Sequence, residues 1–514
     1  MKIRHLALGI LLVLGSAAYG QVDTAAFSQI RRAGMGSSQI PHLAHYLTDV
    51  PGPRLSASAA YLKAAKWAVK TLKSWGLQRA ALEPWGTFGK QWELEDFSII
   101  QKKPYVLPVT AYPQAWSGST KGRQQGGVVL LSSQQARDTV YLGTHQDDLK
   151  GKFVLVAGRQ VDPDFNTRPA LHRLTDAQLD SIGDTHMLSE ADITEYGRAV
   201  KISKRADELF KSSGALAVLS AGGANHNGAV FVQGTGAYKP GAAETLPKVI
   251  LSFEDGQRMR RLIMSGHPVE LALNLQARFS AADVQGYNVI AEIPGSDPRL
   301  KSEIVMLGAH LDSWAASTGA TDNAAGCVVM MEAIRLLDSL GLKPKRTIRI
   351  ALWDGEEQAM YGSYFYVQKH FMDKAYRLKP EHAKISAYFN LDNGSGKIRG
   401  IFTQNNERIK PIFETWLQPL HDLGARTVTL RNTGSTDHLA FDWAGIPGFQ
   451  FIQDPLDYET RTHHSNLDSY EHLQFEDLKQ AAVIVACFVY QAAMEEQMLP
   501  RKPPEKRRFL FDGY

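Results

Sequence analysis

Cysteine is nearly missing from this chain: two residues in 514, Cys327 and Cys487. That excludes a disulfide framework. Both lie in apolar stretches with helical spacing, which reads as two buried thiols. Charge of one sign is also scarce. Lys and Arg number 57 against 53 Asp and Glu, a formal charge of +4, too little to hold a nucleic acid. Long apolar runs are missing too, save one. Leu6–Leu14 follows Lys2 and Arg4 and precedes the small residues of Ala18-Tyr19-Gly20. This is the pattern of a secretory signal peptide over residues 1–20. The run is short for a span and polar sequence follows at once, so no stable membrane anchor is expected. No Cys stands nearby to carry a lipid. Removing the segment lowers the charge to +2, because it holds two basic residues and no acidic one. An exported chain with so few cysteines fits a bacterial periplasm or the medium outside the cell, a secreted or periplasmic location.

What is present is ordinary globular composition, 44% hydrophobic and 21% charged, in a chain long enough for two or three cores. Ser58–Trp75 has helical spacing and stops at Gly76, and Leu77–Trp85 reads as a strand. Between about Gly126 and Ala277 the texture changes. Val128–Ser132, Lys152–Ala157, Ala215–Ser220, Leu246–Leu251 and Val269–Leu275 read as short strands around an amphipathic helix, Ile202–Ser213. A flexible segment, about 162–196, interrupts them. From Tyr287 strands and helices alternate: strands Tyr287–Ile293, Glu303–Ala309, Thr347–Trp353 and Ile385–Leu391, helices Asn323–Leu340 and Asp477–Ala493. The expected fold is α/β, a mixed and mostly parallel central sheet flanked by helices, with a smaller α/β unit inserted. The expected division is 21–115 with 278–495 as the main domain, 116–277 as the insert and 496–514 as a basic tail, solvated and draped on the surface.

The chemistry-bearing residues fall where such sheets place their sites, at strand ends. His310 and Asp312 close one strand. Asp322 opens the next helix. Glu356-Glu357 follows Thr347–Trp353, Asp392 follows Ile385–Leu391, and His463-His464 lies in a loop before the last helix. Singly, each has a bland reading: a hydrogen-bonded core His, an Asp at a helix N-cap, a turn Asp, a solvated Glu pair. Two adjacent carboxylates at the end of a buried strand are electrostatically awkward without a cation beside them. Jointly, two His, two Asp and one Glu are the imidazole and carboxylate set that two zinc ions take. A single bridging carboxylate would let such ions sit about 3.5–4 Å apart.

The run from Tyr287 to about Ala493 resembles the co-catalytic zinc aminopeptidases, the family that includes glutamate carboxypeptidase II and carboxypeptidase Q. The matching motifs are His310-Leu311-Asp312-Ser313, Asp322-Asn323-Ala324-Ala325-Gly326, Glu356-Glu357, Asn390-Leu391-Asp392, Ser435-Thr436-Asp437-His438 and His464-Ser465-Asn466-Leu467-Asp468. Trp314 after the first motif and Leu352-Trp353 ahead of Glu356 look closest to the carboxypeptidase Q branch. The resemblance implies Asp322 as bridging ligand, His310 and Asp392 on one zinc, and Glu357 and His464 on the other, with other divalent metals compatible. It implies Glu356 as general base and Asp312 as the catalytic-site residue that holds the His310 ring. His438 is expected near the substrate. His463 is the alternative to His464, which is preferred because Ser-x-x-Asp follows it. Some members carry a Tyr before the Thr-Asp-His element, where this chain has Asn432-Thr433. Asn323, Asp354 and Ser469 also depart from the commonest residues.

The insert resembles a protease-associated domain on Asp148–Val156, Gly214–Val218 and Leu246–Ile250, which implies a lid or access element over the cleft. The implied activity is hydrolysis of peptides or dipeptides, by an aminopeptidase or by a dipeptidase of the carboxypeptidase Q kind. The oligomeric state is open, a homodimer included. Two other classes share the fold: glutaminyl cyclases, which are acyltransferases using one zinc, and receptor-like modules that lack the ligands.

Overall fold

The structure is a computed structural model that describes residues 21–157, 171–221, 227–280 and 284–503. The signal-peptide reading of 1–20 and the end of the basic tail fall outside the described residues. Two eight-stranded sheets organise what is described.

The central sheet runs in the order Gln78–Gly89, Val284–Ile293, Thr347–Trp353, Ile304–His310, Ile385–Asn390, Gly448–Gln453, Ile398–Phe402, Thr427–Thr429. Its four middle strands are mutually parallel, and antiparallel pairs flank them. The middle strands read as near-continuous apolar runs because helices cover both faces. Helices Ala325–Ser339 and Phe475–Met494 pack against each other and on the sheet. The second is apolar around most of its circumference and almost wholly buried, with Val483, Ile484, Val485, Phe488 and Val489 at zero exposure. Each such side chain stabilises the fold by roughly 1.5–3 kcal/mol relative to exposure. The result is a stiff base for the strand ends above it. Among the described residues no helix is long and apolar enough to cross a membrane. Both cysteines are free and buried.

The second sheet runs Leu107–Pro108, Trp92–Lys103, Glu270–Phe279, Gln124–Ser132, Phe153–Ala157, Ala217–Ala221, Lys248–Leu251, Ala111–Pro113. It therefore draws strands from ahead of residue 116, where the insert is expected to begin. Trp92–Lys103 hides in the sequence because a bulge between Leu94 and Asp96 breaks its alternation. The helix expected over Ile202–Ser213 is longer, Glu190–Ser212, with a capping box between Ser189 and Asp192 at its start. Its first half is polar, so only the apolar second half shows a period.

The two sheets meet through an aromatic cluster, Trp85, Phe88, Trp92, Trp116, Tyr238 and Trp314. Loops from the second sheet also pair with the central half, Thr185 with Thr433, His172 with Leu456 and Phe231 with Ser465.

Candidate metal centre

The site lies at the C-terminal ends of the parallel strands, where diverging loops leave a crevice. Ile304–His310 ends on His310, which is 1% exposed along its side chain. Thr347–Trp353 leaves the sheet through Gly355, whose φ of +73° is open to glycine. The turn folds Glu356 and Glu357 back, and their backbone N–H groups donate to the two carboxylate oxygens of Asp312, each at 3.2 Å. Asp312 also accepts from Ser56 Oγ at 2.9 Å. The His310 Nδ1 lies 3.1 Å from the Asp312 main-chain carbonyl and 3.6 Å from its carboxylate. The carbonyl and the carboxylate of Asp312 both face the ring, and the carboxylate also fixes the Glu356-Glu357 turn.

Asp322 sits in a tight turn, Ala320–Ala324, with non-helical φ and ψ, ahead of helix Ala325–Ser339. The Asp322–Asn323 peptide bond is cis. The cap-like hydrogen bond is made by Asn323, whose Oδ1 accepts from Gly326 N at 3.0 Å, leaving Asp322 for other work. Its Oδ1 lies 3.3 Å from His310 Nε2 and its Oδ2 3.1 Å from His464 Nε2. On the His310 side Asp392 Oδ1 is also 3.3 Å from Nε2. On the His464 side Glu357 Oε2 is also 3.1 Å from Nε2. One carboxylate therefore faces two imidazoles with separate oxygens, and each imidazole has a second carboxylate of its own. Glu356 stands back, its Oε2 3.9 Å from His310 Nε2. His463 is more distant from Asp322 than His464, at 3.9 Å, and its other nitrogen turns to Glu459 at 3.5 Å.

Charge in this crevice is unbalanced. Asp312, Asp322, Glu356, Glu357, Asp392, Asp437 and Asp468 crowd two imidazoles. The guanidinium of Arg54, fully buried, is committed to main-chain carbonyls of Leu47, Leu311, Thr318 and Gly319. Burial would lower the His310 pKa, but Asp392 and Glu356 hold it well above the usual histidine value. His464 is likewise raised against its burial, by Glu357 and Asp322. Burial and then Asp322 push Glu357 up to about 7, and burial raises Glu356 well above the ordinary range. Asp322 goes the other way: burial opposes it, yet His310 and His464 hold it well below. Glu357 Oε1 is buried without a hydrogen-bond partner, which is costly unless a cation takes it. The donor atoms of His310, Asp322 and Glu357 lie within 4.8 Å of one another, as do those of His310, Glu356 and Asp392 and those of Asp322, His463 and His464. Imidazole nitrogens mixed with carboxylates are a donor set that zinc accepts. The residues fit the group.

Supporting residues surround this set. Asp468 accepts from the backbone N–H of Thr321 at 2.6 Å and of Asp322 at 3.1 Å, so it holds the turn that carries Asp322. Burial and Asp322 push it up to about 7. The Ser-x-x-Asp spacing after His464 marked Asp468, though not this task. Arg54 left no such signal beyond a Pro-Gly-Pro turn ahead of it. Asn390 is tied to Thr436 Oγ1 and Gln450 Oε1, both at 2.9 Å, and this fixes the exit toward Asp392. His438, expected near the substrate, lies beneath the Thr433 loop. It has zero exposure, its Nε2 lies 2.7 Å from Gln404 Nε2 and 3.1 Å from Thr433 O, and burial pushes it down to about 3. The short helix His438–Trp443 packs its first residue inward, so the ring braces the Thr433 loop from beneath.

Residues 288–489 match the profile of Peptidase family M28. The chain is 27% identical to carboxypeptidase Q of Homo sapiens over 457 residues, covering 88% of this chain and 85% of that protein. The peptidase M28 precursor of Shewanella amazonensis superposes with a TM-score of 0.70 at 24% identity, covering 94% of this chain and 99% of the other. A zinc aminopeptidase from Bacillus subtilis superposes at 0.55 with 21% identity, covering 89% and 95%.

Proposed function

We infer that this chain, a metallopeptidase of the co-catalytic zinc exopeptidase family near carboxypeptidase Q, is an exported dinuclear zinc exopeptidase that hydrolyses peptides or dipeptides. The observation that carries this reading is Asp322, whose two oxygens face His310 and His464 at 3.3 and 3.1 Å. His310, Asp392 and one Asp322 oxygen would hold one zinc. His464, Glu357 and the other oxygen would hold the second. Bound zinc supplies Lewis-acid charge that polarises a scissile carbonyl and acidifies water. The residues of the chain do the rest. Glu356 is the carboxylate left furthest from its imidazole, and a base must keep its lone pairs free. It takes the proton of the attacking water and passes it to the leaving amine. The Asp312 carboxylate keeps Glu356 and Glu357 in separate positions through their N–H groups. Asp468 keeps Asp322 from turning away.

The second sheet serves as a protease-associated type of module over the crevice, built on residues 116–277 with edge strands from Trp92 onward. Residues 1–20 have the composition of a signal peptide, which supports a secreted or periplasmic location.

Zinc content together with a product-resolved assay tests this reading. X-X dipeptides are compared with N-blocked and C-blocked longer peptides. The expected result is two equivalents of zinc and release of free amino acids from unblocked ends. Absence of bound zinc after reconstitution points to a receptor-like module. Ring closure of a Gln-initiated peptide, without hydrolysis, points to a cyclase.

A further inference from the structure

Gln233 comes from the second-sheet half of the chain, in the segment between strands Ala217–Ala221 and Lys248–Leu251, and it reaches the metal centre. Its side-chain Nε2 lies 3.0 Å from His464 Nδ1, the ring nitrogen opposite the one that faces Asp322 and Glu357. The backbone around Gln233 is held on both sides. Val232 N donates to His464 O at 2.8 Å, and Asn466 Oδ1 accepts from Val230 N at 2.7 Å. Beyond Gln233, Thr235 N donates to Ala115 O at 2.8 Å and its hydroxyl to Trp116 O at 2.9 Å. Between these anchors Gly234 passes so close to two indoles that a Cβ there would meet Trp116 at 2.6 Å and Trp314 at 2.8 Å. A larger residue would push the segment, and Gln233 with it, off His464.

An imidazole that gives Nε2 to a cation carries its proton on Nδ1 and needs an acceptor there. A side-chain amide can serve both states, its nitrogen donating to a bare Nδ1 and its oxygen accepting from Nδ1–H after a half-turn. We propose that Gln233 is a positioning residue of the metal centre: with a cation on His464 Nε2, its Oε1 accepts the His464 Nδ1–H and fixes both ring and tautomer. This deepens the proposed function and rests on His464 being a ligand. The second-sheet module then belongs to one of the two metal sites, and the docking of Phe231 on Ser465 becomes a condition of full metal affinity.

The test is titration of the metal-free full chain with zinc against a competing chromophoric chelator, for the parent, Gln233→Ala, Gln233→Glu and His464→Ala. Gln233 is exposed, so the metal-free melting temperature of its variants should stay at the parent value. The expected result is two equivalents in the parent and one in His464→Ala. In Gln233→Ala, one of two equivalents should be weakened about 10–100-fold, the usual scale for losing a partner of a ligating His. Gln233→Glu keeps an acceptor and should recover the affinity. Parent affinity for both equivalents in Gln233→Ala overturns the proposal, as does equal weakening of both. If His464→Ala keeps two equivalents, the ligand assignment falls first and takes this proposal with it.

Discussion

Each of the two sheets contains a block of four mutually parallel strands, wholly buried for most of its length in the central sheet and only partly buried along Gln124–Ser132 in the second. Their ends are equipped differently. In the central sheet the strand ends deliver His310, Glu356, Glu357 and Asp392 into one crevice. In the second sheet they deliver small hydroxyl residues that serve the fold: Ser132 holds Gln135 N at 3.1 Å, and Ser252, after Lys248–Leu251, accepts from Asp255 N at 3.2 Å and starts a helix. No cluster of potential metal ligands occurs there among the described residues. The same architecture thus carries the candidate metal ligands in one half and none in the other among the described residues, and the candidate site belongs to the residues grafted on the strand ends. The second half touches the chemistry through the segment that carries Gln233.

The contrast can be broken most severely at Asp322. Asp322→Ala removes the one carboxylate shared by both imidazoles, so both zinc equivalents and all measurable turnover should be lost; retention of either equivalent after dialysis would show that the oxygens are not shared. Glu356→Gln should keep two equivalents and lower kcat by about 10²–10⁴-fold, read from steady-state kinetics beside metal analysis. A rate within a few-fold of the parent would place the base elsewhere. Asp468→Asn weakens the grip on the Asp322 turn and should cost about 10–100-fold in zinc affinity, while the stability of the metal-free chain changes little.

Proton release sharpens the same contrast. His310, His464 and Glu357 have raised pKa values when no metal is present, with Glu357 at about 7. Groups held protonated must give up those protons to coordinate, so zinc affinity should rise with pH through neutrality and fall as acid refills them. Calorimetric enthalpies of zinc binding should therefore differ between buffers of different ionisation enthalpy. Buffer-independent enthalpies would argue against these groups as ligands. The smallest effect belongs to the second sheet. Ser252→Ala removes a helix N-cap and should cost roughly 1 kcal/mol of stability in denaturant titration, leaving kcat at the parent value.

Much of this was legible in the sequence. The strand Thr347–Trp353 is visible as an apolar run that stops at a glycine, and the acid or imidazole after each such run points to a site at strand ends. The structure brings His310, Asp322, Glu357, Asp392 and His464 to one place. Other features left weaker traces. Gly448–Gln453 pairs beside Ile385–Asn390 yet carries the buried Gln450, whose amide partner Asn390 is distant in sequence. Asp312 faces the ring of His310, and its carboxylate also binds two N–H groups that appear only when the Gly355 turn closes. The burial of His438, set by the packing of His438–Trp443, has no signal in the Thr-Asp-His element itself. Gln233 left no signal, because a lone amide in an irregular segment has no period and no motif. Contacts between chain segments more than two hundred residues apart are set by docking, which local pattern does not encode.

The most direct test of the central claim is anomalous diffraction at the zinc edge from crystals of the zinc-loaded protein. Two peaks should flank Asp322, one against His310 and Asp392 and the other against Glu357 and His464, with Glu356 bound to neither. A single peak, or a peak coordinated by Glu356 or by His463 in place of His464, would contradict it.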